Sequence, residues 1–315
     1  MKRILYLFFF IVVACTIGNA QQENQYTHFM YTKQMINPGY VGSKGMPSFL
    51  GLYRRQWIGF DGAPTSQLLA FNTPFYDPRV GFGVTVSHHQ TGDIEQYLAS
   101  LAYSYDMINE DNLNLRFGIM GTIQRLSIDL LRPGSVIRDP SDPNINHVLA
   151  EFPRVNGNVG AGLYLNVKGA YVGVSVPNIL SNQLGISGTT AAAEEKPHFY
   201  IMGGAIAQIP ESQFQIYPNI LFKFVENAPF SVDLNLSAIY NNVFTFGLSY
   251  RYGDTNSDSI DFLAHFQATK EFGIGVAYDI PISDIREFNS GSIELLLSYN
   301  IGKKNPDMTN PRFFF

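Results

Sequence analysis

The sequence predicts an all-β protein, a single antiparallel outer-membrane β-barrel of about 14 strands over residues 48–301. Three observations lead to this fold class. Aromatic residues are abundant while charged residues are scarce, no run of about 18 apolar residues follows residue 20, and many segments alternate apolar and polar side chains. Such alternation is also typical of a soluble β-sandwich, so strand number and loop lengths have to separate the two folds.

The composition excludes several classes of protein. The 315 residues include 25 Phe, 18 Tyr and 1 Trp, but only 21 Lys plus Arg and 26 Asp plus Glu. Charged residues make up 15% of the chain, against about 25% in an average soluble domain. A disordered chain would be rich in charge and poor in aromatics, and the net charge of −5 does not suit a nucleic-acid binder that acts through bulk positive charge.

Residues 1–20 have the features of a secretory signal peptide that is cleaved from the mature chain. Basic residues at 2–3 precede the apolar run 4–14, and small residues at 18–20 precede the predicted cut. Cys15 leaves an alternative open, because it ends a loose match to a lipoprotein cleavage box. Cleavage after residue 20 would remove this single cysteine, so we expect no disulfide or thiol chemistry in the mature protein.

Residues 21–47 form a segment between the signal peptide and the first predicted strand. The segment contains the motif Asn37-Pro38-Gly39-Tyr40-Val41-Gly42, in which Asn-Pro-Gly specifies a turn. Since an aromatic-rich segment is costly to keep in water, we expect it to pack under or into the barrel as a periplasmic, plug-like segment.

Fourteen strands are predicted, an even number as in bacterial outer-membrane barrels. Their ranges are 48–57, 65–73, 80–88, 94–105, 112–122, 154–168, 169–176, 198–207, 213–224, 230–239, 242–252, 259–268, 271–280 and 292–301. Residues 230–240 show the pattern, because Val232, Leu234 and Leu236 share one face and Asp233 and Asn235 share the other.

The connections between these strands alternate in length. Every second connection is a turn of about six residues or fewer, while the long loops 123–153, 177–197 and 281–291 all fall in the other set. Short turns at one end and long loops at the other are the arrangement of an outer-membrane barrel, with both chain termini on the periplasmic side. A tail over 302–315 follows the last strand.

No constellation of residues indicates catalysis or metal binding. Residues 254–258 resemble the first half of a calcium loop, but Ser259 and His265 stand where glycine and the closing glutamate are required. His88 and His89 are adjacent on a strand, so their side chains point to opposite faces. We therefore expect a protein that is not an enzyme and that has no cofactor and no metal.

Charged residues at lumen-facing positions support an alternative function, that of an outer-membrane porin for small solutes. These residues are Arg116, Asp233, Arg251, Glu271, Asp279 and Glu294. Opposed charges of this kind either line a water path or close the lumen, and the sequence leaves both open.

The end of the first strand carries the remaining candidate site residues. Arg54, Gln56 and Trp57 lie there, and Gly62-Ala63-Pro64 follows in the first loop. Trp57 beside Arg54 and Arg55 suggests a cation–π cluster or an interfacial anchor. We predict that Arg54, Gln56 and Trp57 fix the N-terminal segment and the first loop; direct contact with a partner stays open.

With these residues the sequence resembles a known family, the PorP/SprF outer-membrane proteins of the type IX secretion system. The resemblance extends over essentially the whole mature chain, in motifs that occur in order. Beyond residues 37–42, 54–57 and 62–64 they include 160–164, 173–178, 196–200, 203–204, 217–219, 228–229, 247–251, 278–279, 291–294 and 311–314. Two positions depart from the family pattern, since Gly39 replaces its usual alanine and Ile293 its usual histidine. The second departure puts in doubt any role assigned to that histidine.

The resemblance implies a fourteen-stranded barrel that works with the secretion and gliding machinery. It implies as partners a secreted adhesin or its C-terminal sorting domain, other type IX secretion components in the outer membrane and periplasm, and membrane lipid. It supplies no catalytic residues.

Overall fold

The computed structural model describes residues 25–110, 112–129, 152–183, 194–226, 229–253 and 258–302. The predicted signal peptide with Cys15, residues 254–257 of the calcium-like segment and the tail after residue 302 lie outside these ranges. Within the described ranges the chain forms a closed antiparallel barrel of 14 strands, which confirms the predicted fold class.

The chain order begins with the α-helix α1, Lys33–Ile36, and a 3-10 helix, Pro38–Tyr40. The strands are β1 Ser48–Arg55, β2 Thr65–Pro74, β3 Val80–Thr91, β4 Ile94–Glu110, β5 Leu113–Ile128, β6 Arg154–Val167, β7 Ala170–Val176, β8 Asn182–Gln183, β9 Glu194–Glu195, β10 His198–Ala205, β11 Ala207–Gln208, β12 Phe214–Val225, β13 Ser231–Tyr240, β14 Phe244–Tyr252, β15 Ser259–Gln267, β16 Phe272–Pro281 and β17 Ser292–Asn300. A second 3-10 helix, Asp284–Glu287, lies between β16 and β17. None of the helices in the described ranges is long and apolar enough to cross a membrane.

Neighbouring strands pair in sequence order around the wall. Strand β1 pairs with β17, from Ser48 opposite Asn300 to Arg55 opposite Ile293, and β10 pairs with β12. Strand β11 follows β10 in the chain and pairs with the next part of β12, so β10 and β11 together occupy one strand position of the wall. Strands β8 and β9 form a separate two-stranded ribbon. Because the first and last strands are paired, the wall has no open edge, which is the condition for a sheet to span lipid.

The wall is inverted relative to a soluble protein, with apolar side chains outside and polar side chains inside. Along β13, Leu234 and Leu236 are exposed on the outer face while Asp233, Asn235 and Ser237 are buried on the inner face. This alternation is what the sequence predicts for a lipid-facing barrel.

The two ends of the barrel differ as predicted. At one end, called the short-turn end, the connections are 75–79, 111–112, 168–169, 209–213, 241–243 and 268–271, and β1 begins and β17 ends there. The other end is called the long-loop end. Connections 56–64 and 282–291 lie there, and the chain between Ile128 and Arg154 connects β5 to β6 at this end.

Strands β4 and β5 are longer than predicted. Strand β4 ends at Glu110 rather than 105, and β5 ends at Ile128 rather than 122. The predicted ends follow the regular apolar alternation, but hydrogen-bonded pairing continues beyond it, past Arg125 on β5 and to Glu110 on β4, and a register shift between Asp106 and Ile108 lies within the extension of β4.

Residues 25–47, called the plug segment here, lie inside the barrel. Its residues Tyr26, Phe29, Met30 and Tyr40 are buried and belong to one cluster with inward-facing side chains of the wall such as Leu296. The segment contacts the wall on opposite sides, because Thr27 bonds to β16 and β17 while the side chain of Asn37 donates to the Leu163 carbonyl of β6.

Glycines on the inner wall allow the plug backbone to approach the strands. A Cβ atom at Gly118 on β5 would overlap the Pro38 carbonyl, one at Gly81 on β3 would overlap the Val41 carbonyl, and one at Gly162 on β6 would overlap the Asn37 side chain. Residues 37–41 therefore rest on wall positions where any larger residue would collide. We call this set, Gly81, Gly118 and Gly162, the glycine cradle.

The glycine cradle generates a prediction about stability. We expect Gly118→Ala to lower the free energy of unfolding by about 1–3 kcal/mol, because the added methyl overpacks the contact with Pro38. The measurement is urea unfolding of the protein refolded in detergent micelles.

Gly121→Ala is the matched control on the same strand. Gly121 faces outward, and a Cβ atom there meets nothing within 4 Å. The control should be neutral or slightly stabilising, since alanine is less costly to order than glycine. Equal effects of the two changes would show that the plug segment does not press on the wall at this point.

Candidate functional site: the filled lumen

A buried ion cluster holds the start of the plug segment in the half of the lumen nearer the long-loop end. The guanidinium of Arg54 lies 2.5 Å from Asp279 Oδ2 and 3.2 Å from Glu294 Oε2. Its Nη1 also donates to the hydroxyl of Thr27, 3.0 Å away. These side chains are almost completely buried, so the three wall residues on adjacent strands interact with one another and with Thr27 without bulk water.

Glu294 receives most of its hydrogen bonds from the plug segment. The backbone N–H groups of Thr27 and His28 donate to its two oxygens at 3.0 and 2.8 Å, and His28 Nδ1 lies 2.6 Å from Oε1. The Thr27 hydroxyl donates to Asp279 Oδ1 at 2.7 Å. One wall carboxylate therefore orders two consecutive plug residues, and a charged acceptor makes such bonds strong.

The ion cluster continues along the adjoining strands. Arg251 on β14 lies 2.6 Å from Asp233, and its guanidinium is 3.7 Å from both Asp261 and Asp279. Lys223 on β12 lies 2.9 Å from the other oxygen of Asp233. The inner faces of β1 and β12–β17 thus carry one connected network of opposed charges at this level.

A second anchor lies in the half of the lumen nearer the short-turn end. Arg116 pairs with Asp106 at 3.2 Å, and it donates to the carbonyls of Pro78 at 2.9 Å and Val41 at 3.4 Å. Ser104 donates to the same Val41 carbonyl at 2.5 Å. These bonds fix the C-terminal part of the plug segment to β4 and β5.

The motif 37–42 is held by its own polar groups. Asn37 donates to the carbonyl of Leu163 at 2.9 Å and accepts the N–H of Gly39 at 2.8 Å, so it joins β6 to the turn that it caps. Gly42 has a φ of +78° and donates to Asn72 Oδ1 at 2.8 Å. Pro38 and Gly39 form the 3-10 turn between these two contacts.

Aromatic rings surround a buried lysine of the plug segment. Lys33 Nζ lies 3.7 Å from the ring centre of Tyr171 and 5.4 Å from that of Tyr40, and none of the described residues hydrogen-bonds it. Burial lowers the pKa of Lys33 well below its usual value, and nearby Lys44 lowers it further. Burial also lowers the pKa of Lys44, to about 8. Tyr40 packs edge-on against Tyr164 at 5.4 Å.

The residues predicted in the first loop lie outside the lumen. The Gln56 N–H donates to the Pro64 carbonyl, which closes the loop, and Gly62, with a φ of +74°, accepts a bond from the N–H of Gly92. Trp57 has a φ of +47° and packs edge-on against Phe60, and its N–H donates to Ser292 Oγ. Among the described residues no cation lies over the Trp57 ring, so the structure gives no support to a cation–π cluster there.

The predicted lumen charges lie on the inner wall with one exception. Arg116, Asp233, Arg251, Asp279 and Glu294 are all buried there. The prediction for Glu271 is wrong, because this residue precedes β16 in the exposed turn 268–271, where it accepts a bond from Thr269. The apolar–polar alternation of the sequence begins at Glu271, but the strand begins one residue later, at Phe272.

Several residues on the two sides of the contact between the plug segment and the wall were not identified from the sequence. They are Thr27, His28, Gln34, Asn72, Ser104 and the glycine cradle. One pattern in the sequence could have indicated the glycine cradle. Gly81 and Gly83 are two residues apart, and so are Gly160 and Gly162. Such spacing places glycines on one face of a strand, where another backbone can approach.

The geometry of the site is that of a fixed plug. Residues 25–28 lie nearer the long-loop end, and the chain then runs through the lumen and enters β1 at the short-turn end. The predicted periplasmic N-terminus concerns residues before 25, outside the described ranges, and stays a prediction. In the part of the chain that the structure describes, no group of three or more His, Cys, Asp or Glu side chains has the geometry to hold a metal ion.

The ion cluster predicts a large effect of removing Arg54. We expect Arg54→Met to lower the free energy of unfolding by about 3–5 kcal/mol, because Asp279 and Glu294 would stay buried without their guanidinium partner. Urea unfolding in detergent measures this change. Arg55→Met is the control, since the neighbouring residue is exposed on the outer face and should change stability by less than about 0.5 kcal/mol. Similar losses for both variants would contradict the role of the ion cluster.

The barrel resembles solved outer-membrane channels. A "TodX deltaS2S3 mutant monoaromatic hydrocarbon channel" has a TM-score of 0.51 at 12% identity, with 91% of this chain and 97% of that chain covered. A "CymD monoaromatic hydrocarbon channel" has a TM-score of 0.51 at 14% identity, with 92% and 95% covered. At these identities the likeness concerns the fold alone. None of the curated proteins compared with the chain matches it.

A family model described as "Type IX secretion system membrane protein PorP/SprF" matches residues 18–299. The match covers most of the chain and includes the plug segment and every strand except the last residue of β17. It confirms the resemblance seen in the motifs, and together with the barrel it points to the outer membrane. The protein belongs to the PorP/SprF family of type IX secretion system membrane proteins.

Proposed function

We propose that this protein is a non-enzymatic component of the type IX secretion system that helps to secrete or anchor surface adhesins through their C-terminal sorting domains. Family membership supports this proposal, and so does the filled lumen. With the lumen occupied by the protein's own chain, the two ends of the barrel are the surfaces that we expect soluble protein partners to contact.

The filled lumen speaks against the alternative of a porin for small solutes. The charges that would line a water path are instead paired with one another or with the plug segment, as Arg54 and Glu294 show. Conduction needs sites that ions enter and leave, and buried carboxylates that are already bonded to guanidinium groups do not provide them.

The long-loop end offers a surface of the kind that protein partners use. The loop 56–64 and the loop 282–291 are joined by backbone bonds between Ile58 and residues 290–291. Phe60 and Phe288 are 48% and 67% exposed on these two loops. Exposed aromatic residues on a supported surface are typical of protein-binding sites. We place the adhesin contact at this end, with the short-turn end in the periplasm facing the other secretion components.

The test of this function combines gene deletion with complementation. Loss of the protein should leave the adhesin missing from the cell surface or shed into the medium, and the wild-type gene should restore display. The double change Phe60→Ser with Phe288→Ser should reduce retention of a purified sorting domain by the barrel at least tenfold, with normal barrel abundance.

Tyr76→Ser provides the matched control at the other end. Tyr76 is 97% exposed in the short turn 75–79, so its change removes a similar aromatic surface without touching the long loops. It should leave binding of the sorting domain unchanged. Normal adhesin display in the deletion strain would refute the proposed function, whereas equal binding by both variants would refute only the proposed contact surface.

A further inference from the structure

The plug segment does not fill the lumen completely. A cavity of about 470 Å³ lies beside it, in the half of the barrel nearer the long-loop end. Tyr26, Phe29 and Met35 of the plug segment form one side of the cavity, and the inner faces of β3, β4 and β5 form the other. This volume lies within the range of pockets that bind small molecules, roughly 300–1,000 Å³.

The cavity wall carries apolar side chains at positions where a barrel lumen is normally polar. Ile94 and Leu98 on β4 and Leu126 and Ile128 on β5 point inward, and none of them is buried. By contrast, the inward-facing Leu296 on β17 is completely buried in the cluster that it forms with residues of the plug segment. The uncovered apolar wall therefore indicates an apolar ligand.

The polar groups of the cavity indicate that the ligand carries no charge. Lys223 is paired with Asp233 at 2.9 Å, and Glu195 accepts a bond from Asn182 at 2.9 Å. Both ring nitrogens of His89 are bonded, to Ser66 and Ser87. Each ionisable group at the cavity named here is thus already engaged within the protein, and burying a further unpaired charge would be costly.

Two side-chain amides remain available to a ligand. Gln96 and Gln124 line the cavity beside Leu98 and Leu126, and none of the described residues hydrogen-bonds their side chains. An amide can donate to and accept from a hydroxyl or carbonyl group. A ligand with one such group on an apolar ring or short chain would match this arrangement.

We propose that the cavity is a binding site for a small, neutral, mainly apolar molecule, whose single hydroxyl or carbonyl group bonds to Gln96 and Gln124. The plug segment, fixed below the cavity by Asn37 and Val41, closes the path to the short-turn end. The molecule is therefore held rather than transported. This site is separate from the contact surface proposed for the adhesin.

Titration with 4-fluorobenzyl alcohol, followed by fluorine NMR on the purified protein in detergent, tests the site. The wild type should show a saturable bound signal. Leu98→Trp, which fills the cavity, should weaken binding at least tenfold. Leu101→Trp is the control, because Leu101 faces lipid on the same strand and any uptake of the probe by the micelle is common to both variants. Unsaturable uptake alone, or equal binding by both variants, would overturn the proposal.

A second variant keeps the test valid if Leu98→Trp does not fold. Gln124→Leu retains the apolar wall but removes one amide. The wild type should bind 4-fluorobenzyl alcohol at least fivefold more tightly than 4-fluorotoluene, and the variant should bind the two probes about equally. An unchanged preference in Gln124→Leu would overturn the assigned role of the amides.

Discussion

The close approach of the plug backbone to the inner wall is the constraint on which the rest of the lumen depends. Residues 37–41 lie against strands whose inner positions must be glycine, as at Gly118. Once the segment is there, its polar groups need partners, and Asn37, Gly42 and Val41 find them on β6, β2 and β4. A change that moves the plug backbone away from the glycine cradle would therefore also break the hydrogen bonds of the plug segment.

The ion cluster fixes the position of the start of the plug segment. Buried ion pairs contribute little net stability compared with well-packed apolar residues, but each one penalises the loss of its partner. Arg54 and Glu294 together bind the backbone and side chains of Thr27 and His28, so the start of the plug segment has one favourable position. The plug segment is thus fixed near both ends of the lumen.

Most of the barrel wall could be predicted from the sequence, because period-two alternation is a local property of each strand. The long extensions of β4 and β5 could not, since pairing there continues after the regular alternation of apolar and polar residues has ended. The contacts between side chains in the lumen could not be predicted from the sequence either. His28 and Glu294 are distant in the chain, and only the closed barrel brings them within 2.6 Å. Inward charges could be assigned, but which charge meets which depends on strand register and on the path of the plug.

Single-channel recording on the mature protein in planar lipid bilayers tests the central claim, that the plug segment closes the lumen. The structure predicts no stable ion conductance, because the segment is held both at Arg54 and at Arg116. A variant without residues 25–44 should conduct steadily if it inserts. A stable open pore in the unmodified protein would contradict a fixed plug and would favour the porin function.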